Sequence, residues 1–283
     1  MLLYHYTDQN GFMGIINSCE LWATKIQYLN DSNEFFLAIT LANGILDEMI
    51  AKEKDERIKL RLNRFISNLK GIRNLNLCVC SLSEEGDLLS QWRGYSKQQG
   101  GYSIGFDSDA LTLLLQSQGF RLGKCVYEKD AQKYLVQDVI NRSLVRYQDM
   151  DEPEPDVFIY PSDSTRFFIN ELSLIAPLIK DISFSEEKEW RILSDGGITF
   201  GNLRFRAGIS MLIPYYGISL RPDFWNLIRQ VIVGHTPHPE LAHSSTSAFL
   251  VGKFREVSKD MPPFSIQPDV APVKNSSIPY RSW

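Results

Sequence analysis

Cysteine is scarce: Cys19, Cys78, Cys80 and Cys125 are the only four in 283 residues. Cys78 and Cys80 form a C-x-C in a strand-like run, and no second Cys/His pair stands at matching spacing, which argues against a zinc site. Strand alternation puts both sulfurs on one face, so the pair reads as two small buried hydrophobes. Long apolar runs are absent too; none approaches the roughly 20 residues of a membrane helix. No secretory leader precedes the first strand-like stretch. The expectation is a cytoplasmic protein with reduced thiols and no membrane contact. Positive charge is not in excess: 30 Lys and Arg against 34 Asp and Glu give −4. That excludes a broadly basic nucleic-acid surface and leaves room only for a local basic groove. A Gly-rich dinucleotide fingerprint, a regular βαβ alternation and an internal repeat are also missing, which speaks against a Rossmann fold.

What is present is an interleaving of short strands and helices. Residues 2–7 and 20–25 read as strands, joined by a helix carrying Phe12, Ile15 and Ile16 behind an Asp8 N-cap. Residues 33–70 are helical, with apolar faces at Leu37, Leu41, Ile45 and Met49 and again at Ile58, Leu62, Phe65 and Leu69. The charged run between these sets marks a break. Further strands are expected at 75–83, 101–106, 124–128, 185–194 and 228–236, with paired strands across 198–215. Helices are expected at 108–117, 130–147, 164–180 and near 239–250, with a linker at 151–156 and an extended Pro-rich tail from 259. This order predicts an α+β fold: a mixed, largely antiparallel central sheet with flanking helices. The length fits a single domain over 1–283 with a helical insertion at about 33–70.

Five constellations carry chemistry-bearing residues. In Tyr4-His5-Tyr6-Thr7, strand alternation puts His5 and Thr7 on one face, able to bond sugar hydroxyls or an amide. An ordinary buried histidine bonded to backbone is the blander alternative. In Glu187-Lys188-Glu189-Trp190-Arg191, a strand puts both carboxylates and the guanidinium on one face. Carboxylates about 7 Å apart along a strand can divide acid–base labour; the alternative is an exposed edge where Arg191 pairs them. Ser81 and Ser83 lead into Asp87, Gln91, Trp92, Arg93 and Tyr95, where aromatics can stack on a ring and Arg93 can bind phosphate, or where a buried Trp holds a loop. Asn30, Asp31 and Glu34 fit helix capping. His235, His238 and His243 invite a metal, but Pro237 and Pro239 break the helical spacing and a surface loop is the better reading.

Several of these pieces resemble one family. "LYHYT…GIINS…LWAT…LNDSNE", "CSLSEEGDLLSQWRGYS…GGYSIGFD", "VYE", the F-x-x-E-K-E-W-R of 184–191, "VIVGH" and "SSIPYR" are similar to the uncharacterised bacterial DUF2971 family, from Leu3 to Arg281. More distantly, an early strand with His-x-Thr and a late E-x-E resemble ADP-ribosyltransferases, including DarT-like toxins. That resemblance implies NAD as substrate. His5 and Thr7 would hold it, and Glu189 would be catalytic with Glu187 orienting the acceptor. Tyr102 or Tyr95 would stack on nicotinamide, and Arg93 or Arg191 would meet the pyrophosphate. The implied activity is NAD-dependent ADP-ribosyl transfer or NAD glycohydrolysis, in a bacterial toxin or phage-defence effector. The acceptor would be a protein or nucleic acid, and an antitoxin or other partner protein would accompany it. The alternatives are a non-catalytic nucleotide- or protein-binding module of a conflict system, and a metal-dependent nuclease using Asp31, Glu34, Asp87 and Glu189.

Overall fold

Asp8 shows how the sequence turns a strand into a helix. Its carboxylate accepts from the Gly11 amide at 2.8 Å and caps the helix that follows. The computed structural model describes residues 1–29, 32–72, 75–95, 100–149, 163–258 and 270–279. The chain opens with β1 (Leu2–Asp8), α1 (Gln9–Ser18), β2 (Glu20–Lys25), α2 (Ser32–Lys52) and α3 (Glu56–Ile72). It continues with β3 (Cys78–Ser83), α4 (Leu89–Tyr95), β4 (Gly101–Asp107), α5 (Ser108–Gln116) and β5 (Phe120–Lys124). Then come α6 (Lys129–Asp149), α7 (Asp163–Ile175), β6 (Glu189–Ser194), β7 (Arg204–Ala207) and β8 (Leu212–Ser219). The last elements are α8 (Phe224–Leu227), β9 (Ile228–Val233), α9 (Pro239–Ser258) and β10 (Val273–Asn275). Among the described residues no helix is long and apolar enough to cross a membrane.

The fold is α+β; among the described residues ten strands form one open sheet that is antiparallel except where β10 runs parallel to β9. Strand β3 is the hub. Its Val79 pairs with both Thr24 of β2 and Leu193 of β6, and its Ser83 pairs with both Tyr4 of β1 and Glu189 of β6. A residue paired twice uses both edges of its strand. So β6 takes one edge of β3, while β1 and β2 share the other at opposite ends. Two wings diverge from there: β1-β4-β9-β10 and β2-β8-β7.

Parity along the strands sorts the side chains between two faces. One face carries Leu3, Cys78, Cys80, Leu82, Ile104, Phe106 and Ile192, packed with Phe12, Ile15 and Ile16 of α1 and Leu111 of α5. The other carries Val79 and Leu193 against Leu46 of α2, Phe65 of α3, Ile140 of α6 and Phe168 of α7. A small third cluster joins Tyr6, Trp92 and Ile232.

Three expectations shift. The strand expected at 124–128 lies earlier, at Phe120–Lys124, where it pairs with β6; beyond it only Val126 makes an isolated bridge, to Ile179. The strand expected from 185 begins at Glu189, because Ile182–Glu187 form a 3-10 turn closed by Lys188 in the left-handed region. The helix expected to 180 stops at Ile175, and a 3-10 turn takes in Pro177. The linker at 151–156, the Asn30 and Asp31 backbone, the Glu34 side chain and the Tyr280-Arg281 end of the last motif lie outside the described residues.

Candidate functional site

The E-K-E-W-R stretch builds a buried ion network. Lys188 has φ 42°, and this left-handed turn brings Glu187 and Glu189 to one cation. Lys180 Nζ donates to Glu187 Oε2 at 2.5 Å and to Glu189 Oε2 at 2.6 Å. Arg191 donates from Nε to Glu189 Oε1 at 2.8 Å, from Nη2 to Oε2 at 3.1 Å, and from Nη1 to the Pro177 carbonyl at 2.6 Å. The Glu189 amide donates to Tyr127 Oη at 2.8 Å. Lys180, Glu189 and Arg191 are all buried. Burial alone would raise the Glu189 pKa, but Arg191 and then Lys180 outweigh it and hold the carboxyl at about 2. Two cations face two carboxylates, so the cluster is balanced. Both oxygens of Glu189 are occupied, which leaves that residue no free oxygen for a substrate and Arg191 no open face for a pyrophosphate; Glu187 is bonded to Lys180 through Oε2 and its side chain keeps 19% exposure.

His5 sits elsewhere. Tyr4, Ser83 and Glu189 are directly opposed along the ladder and share a face, so His5 projects from the opposite one. Its Nδ1 lies 3.0 Å from the Ser81 carbonyl and 3.7 Å from Cys80 Sγ. A carbonyl only accepts, so Nδ1 carries the hydrogen. Ser81 lies between the residues of β3 that pair with β1 and with β2, and the imidazole serves the carbonyl there. Nε2 is then the acceptor nitrogen, and it has no partner among the described residues. Burial lowers the His5 pKa, partly offset by the Ser81 bond, which favours the neutral ring. Burial pushes the Cys80 thiol up to about 12, helped by the charge of Glu189, so it is a protonated neighbour and not a nucleophile. Thr7 shares the His5 face. A Cβ on Gly11 would stand 1.9 Å from Thr7 Oγ1, so glycine is what lets α1 start over this residue.

Register extends the His5 face across the sheet. Leu82 opposes Trp190, and Trp190 opposes Lys124. Glu84 reaches onto this row: its Oε1 accepts from Trp190 Nε1 at 2.8 Å and from Lys124 Nζ at 2.6 Å. Its side chain keeps 20% exposure. The Lys124 bond, with the Trp190 bond, holds the Glu84 carboxyl below its usual range against burial. An imidazole with an open nitrogen, a threonine, an indole, an ammonium and an ionised, partly accessible carboxylate therefore lie on one face.

The remaining sequence candidates divide. Tyr102 opposes Thr7 but is a core residue, its ring stacked on Phe12 at 4.1 Å. Arg93 and Tyr95 are exposed on α4. Trp92 is buried beside Tyr6 and donates to Asp87 at 2.7 Å, so it holds the loop. Asp87 also accepts from Ser276 Oγ at 2.5 Å and from the Ser277 amide and hydroxyl at 2.7 and 2.8 Å, clasping the C-terminal segment. His235 and His243 do similar work, with Nε2 bonded to the Ile278 and Val273 carbonyls. Cys78 and Cys80 lie buried in the apolar cluster. Among the described residues no three His, Cys, Asp or Glu gather as metal ligands.

Sequence reasoning passed over Lys180 and Glu84. Lys180 is a single cation closing the apolar run "LSLIAPLIK", and such a lysine signals a buried partner. Glu84 follows a strand in S-L-S-E, and its parity with Cys80 and Leu82 places it on their face.

The stretch from α4 through the start of β6 is also where a family signature lies. Residues 91–192 match the model of DUF2971, described as a protein of unknown function. The matched stretch contains Glu187, Glu189 and Arg191 and leaves His5, Thr7 and Glu84 outside it. No curated protein and no solved structure matches the chain.

Proposed function

We propose that the chain binds NAD on the His5 face and acts on it as an ADP-ribosyltransferase or NAD glycohydrolase, with Glu84 in the role the resemblance gives to Glu189. One observation carries this reading: Glu84 is the ionised, partly open carboxylate on the His5 side, whereas Glu189 is sealed on the other. His5 Nε2 accepts from a ribose hydroxyl and Thr7 bonds the nicotinamide amide. The C1′–N bond breaks with its electron pair leaving on nicotinamide, and positive charge develops on the ribose. Glu84 stabilises that charge; water or an acceptor hydroxyl then adds at C1′ and passes its proton to the carboxylate. Stabilisation of this kind is typically among the largest catalytic terms. Glu187 and Glu189 are structural in this reading, and the toxin or defence role follows from NAD consumption.

Calorimetry with NAD and assay of released nicotinamide test it. The wild-type chain is expected to bind NAD, and His5→Ala to lose binding. Glu84→Gln is expected to keep binding and lose about 10²–10³-fold in turnover. Binding without turnover in the wild-type chain would move the assignment to a nucleotide-binding module. Absence of NAD binding by a folded sample defeats both.

A further inference from the structure

Glu84 is held by one oxygen only. Its Oε1 accepts both bonds that the carboxylate makes among the described residues, from Trp190 Nε1 at 2.8 Å and from Lys124 Nζ at 2.6 Å. Oε2 has no partner among them and is open to solvent. The two donors sit on neighbouring strands. Trp190 of β6 is directly opposed to Lys124 of β5, and the ammonium lies 5.9 Å from the centre of the indole ring. The Glu84 amide donates to the Lys188 carbonyl at 3.2 Å, which fixes the backbone from which the carboxylate reaches them.

The two donors differ in what they bring. The indole N–H is carried on a stiff, half-buried ring, so it fixes a direction. Lys124 brings charge, but its side chain is 54% exposed, so the pair adds little to stability. What the two bonds change is the carboxylate itself: they take the same oxygen and leave the other facing water. Glu189 shows the opposite arrangement, with a cationic donor on each oxygen. One more cation, Lys188, acts on Glu84 through space; its own bond goes to Glu85 at 2.5 Å.

We propose that Lys124 and Trp190 are positioning residues of the NAD site, holding Glu84 by Oε1 so that Oε2 faces the ribose. The inference rests on the reading of Glu84 given above and adds what aims it. An ammonium bonded to one oxygen also keeps a carboxylate ionised as the medium becomes more acid, so the same pair sets the acid limit of the site.

The test reads the carboxylate and the reaction separately, on the full chain. The first readout is an NMR titration of protein isotope-labelled at the glutamate carboxyls, with the Glu84 resonance identified by its loss in Glu84→Gln. The wild-type midpoint is expected below the ordinary 4.5. Lys124→Met is expected to raise it by about 0.5 pH unit or more, Trp190→Phe to raise it as well, and Lys124→Arg to restore it. The second readout is nicotinamide release. Lys124→Met and Trp190→Phe, folded by circular dichroism, are each expected to lose about tenfold in kcat while calorimetry gives an unchanged Kd for NAD. The acid limb of Lys124→Met is expected to move up together with its Glu84 midpoint. A midpoint that neither variant moves overturns the proposal. So does an unchanged kcat in both folded variants while the wild-type chain turns NAD over. A wild-type chain inert to NAD defeats the reading of Glu84 instead, and the midpoints still decide whether Lys124 and Trp190 hold its carboxylate.

Discussion

Two polar clusters occupy opposite faces of one sheet, and they differ in what is left over. Around Glu189 nothing is: each carboxylate oxygen of that residue has a cationic donor, and the carboxyl is held far below its usual range. Around His5 one imidazole nitrogen and one partly exposed carboxylate remain available. The charge pattern of E-K-E-W-R thus lies where a ligand has least room. Buried ion pairs fix geometry more than they add stability, because desolvation offsets most of the attraction. Here the network ties the 3-10 turn at 182–187 to the start of β6. An open site needs the opposite property, a group whose valence the fold leaves unspent.

The largest expected effect comes from breaking the closed cluster. Glu189→Gln leaves Arg191 and Lys180 under-neutralised in the interior and should cost about 3–5 kcal/mol in urea denaturation. A variant as stable as the wild-type chain would erase the contrast between the faces. The same carboxylate sets an acid limb. Its folded pKa, about 2, lies below the ordinary 4.5, so the unfolded chain binds more protons in that interval. Its contribution is present above pH 4.5 and lost as pH falls through about 2. The Glu189→Gln protein should lack that part of the wild-type curve.

A smaller effect belongs to the His5 side. Gly11→Ala drives a methyl toward Thr7 Oγ1 and should cost about 1–3 kcal/mol, read as a lowered urea midpoint. His5→Ala leaves the Ser81 carbonyl without its donor, costing about 1–2 kcal/mol. Because the folded His5 pKa lies below the ordinary 6.5, its neutral form stabilises the fold above that pH and the contribution falls as pH drops below it. The alanine variant should show a flatter profile there. Smallest is Lys59→Ala, which removes an exposed pair with Glu56 on α3. A change under about 0.5 kcal/mol is expected, and it calibrates the others.

Local patterns in the sequence predict local structure well. Asp8 does cap α1, and the charged break between α2 and α3 falls at Glu53 and Asp55, whose side chains bond the Lys54, Asp55 and Arg57 amides. Cys78 and Cys80 share a face as alternation requires. "KCVYE" misleads because alternation there resembles a strand, while the actual partner for β6 is the Phe120–Lys124 segment. Glu187 misleads for a related reason: E-K-E-W-R alternates on paper, but Lys188 turns the chain before the strand begins. The relation of His5 to Glu189 is not in any local pattern. It depends on the parity of pairing across β1, β3 and β6, so a one-residue change of register would put them together.

The first strand of the chain has a consequence for how the molecule is made. β1 lies inside the sheet, and its ladder partners Ser83 and Gly105 for Tyr4 arrive only after long stretches of helix have been synthesised. β2 waits longer still, since Glu20 pairs with Ser219. Closing such distant pairings carries a large loop entropy and makes folding slow. A nascent chain therefore carries β1 unpaired until β3 and β4 are made, and one edge of β2 unpaired until β8 is made.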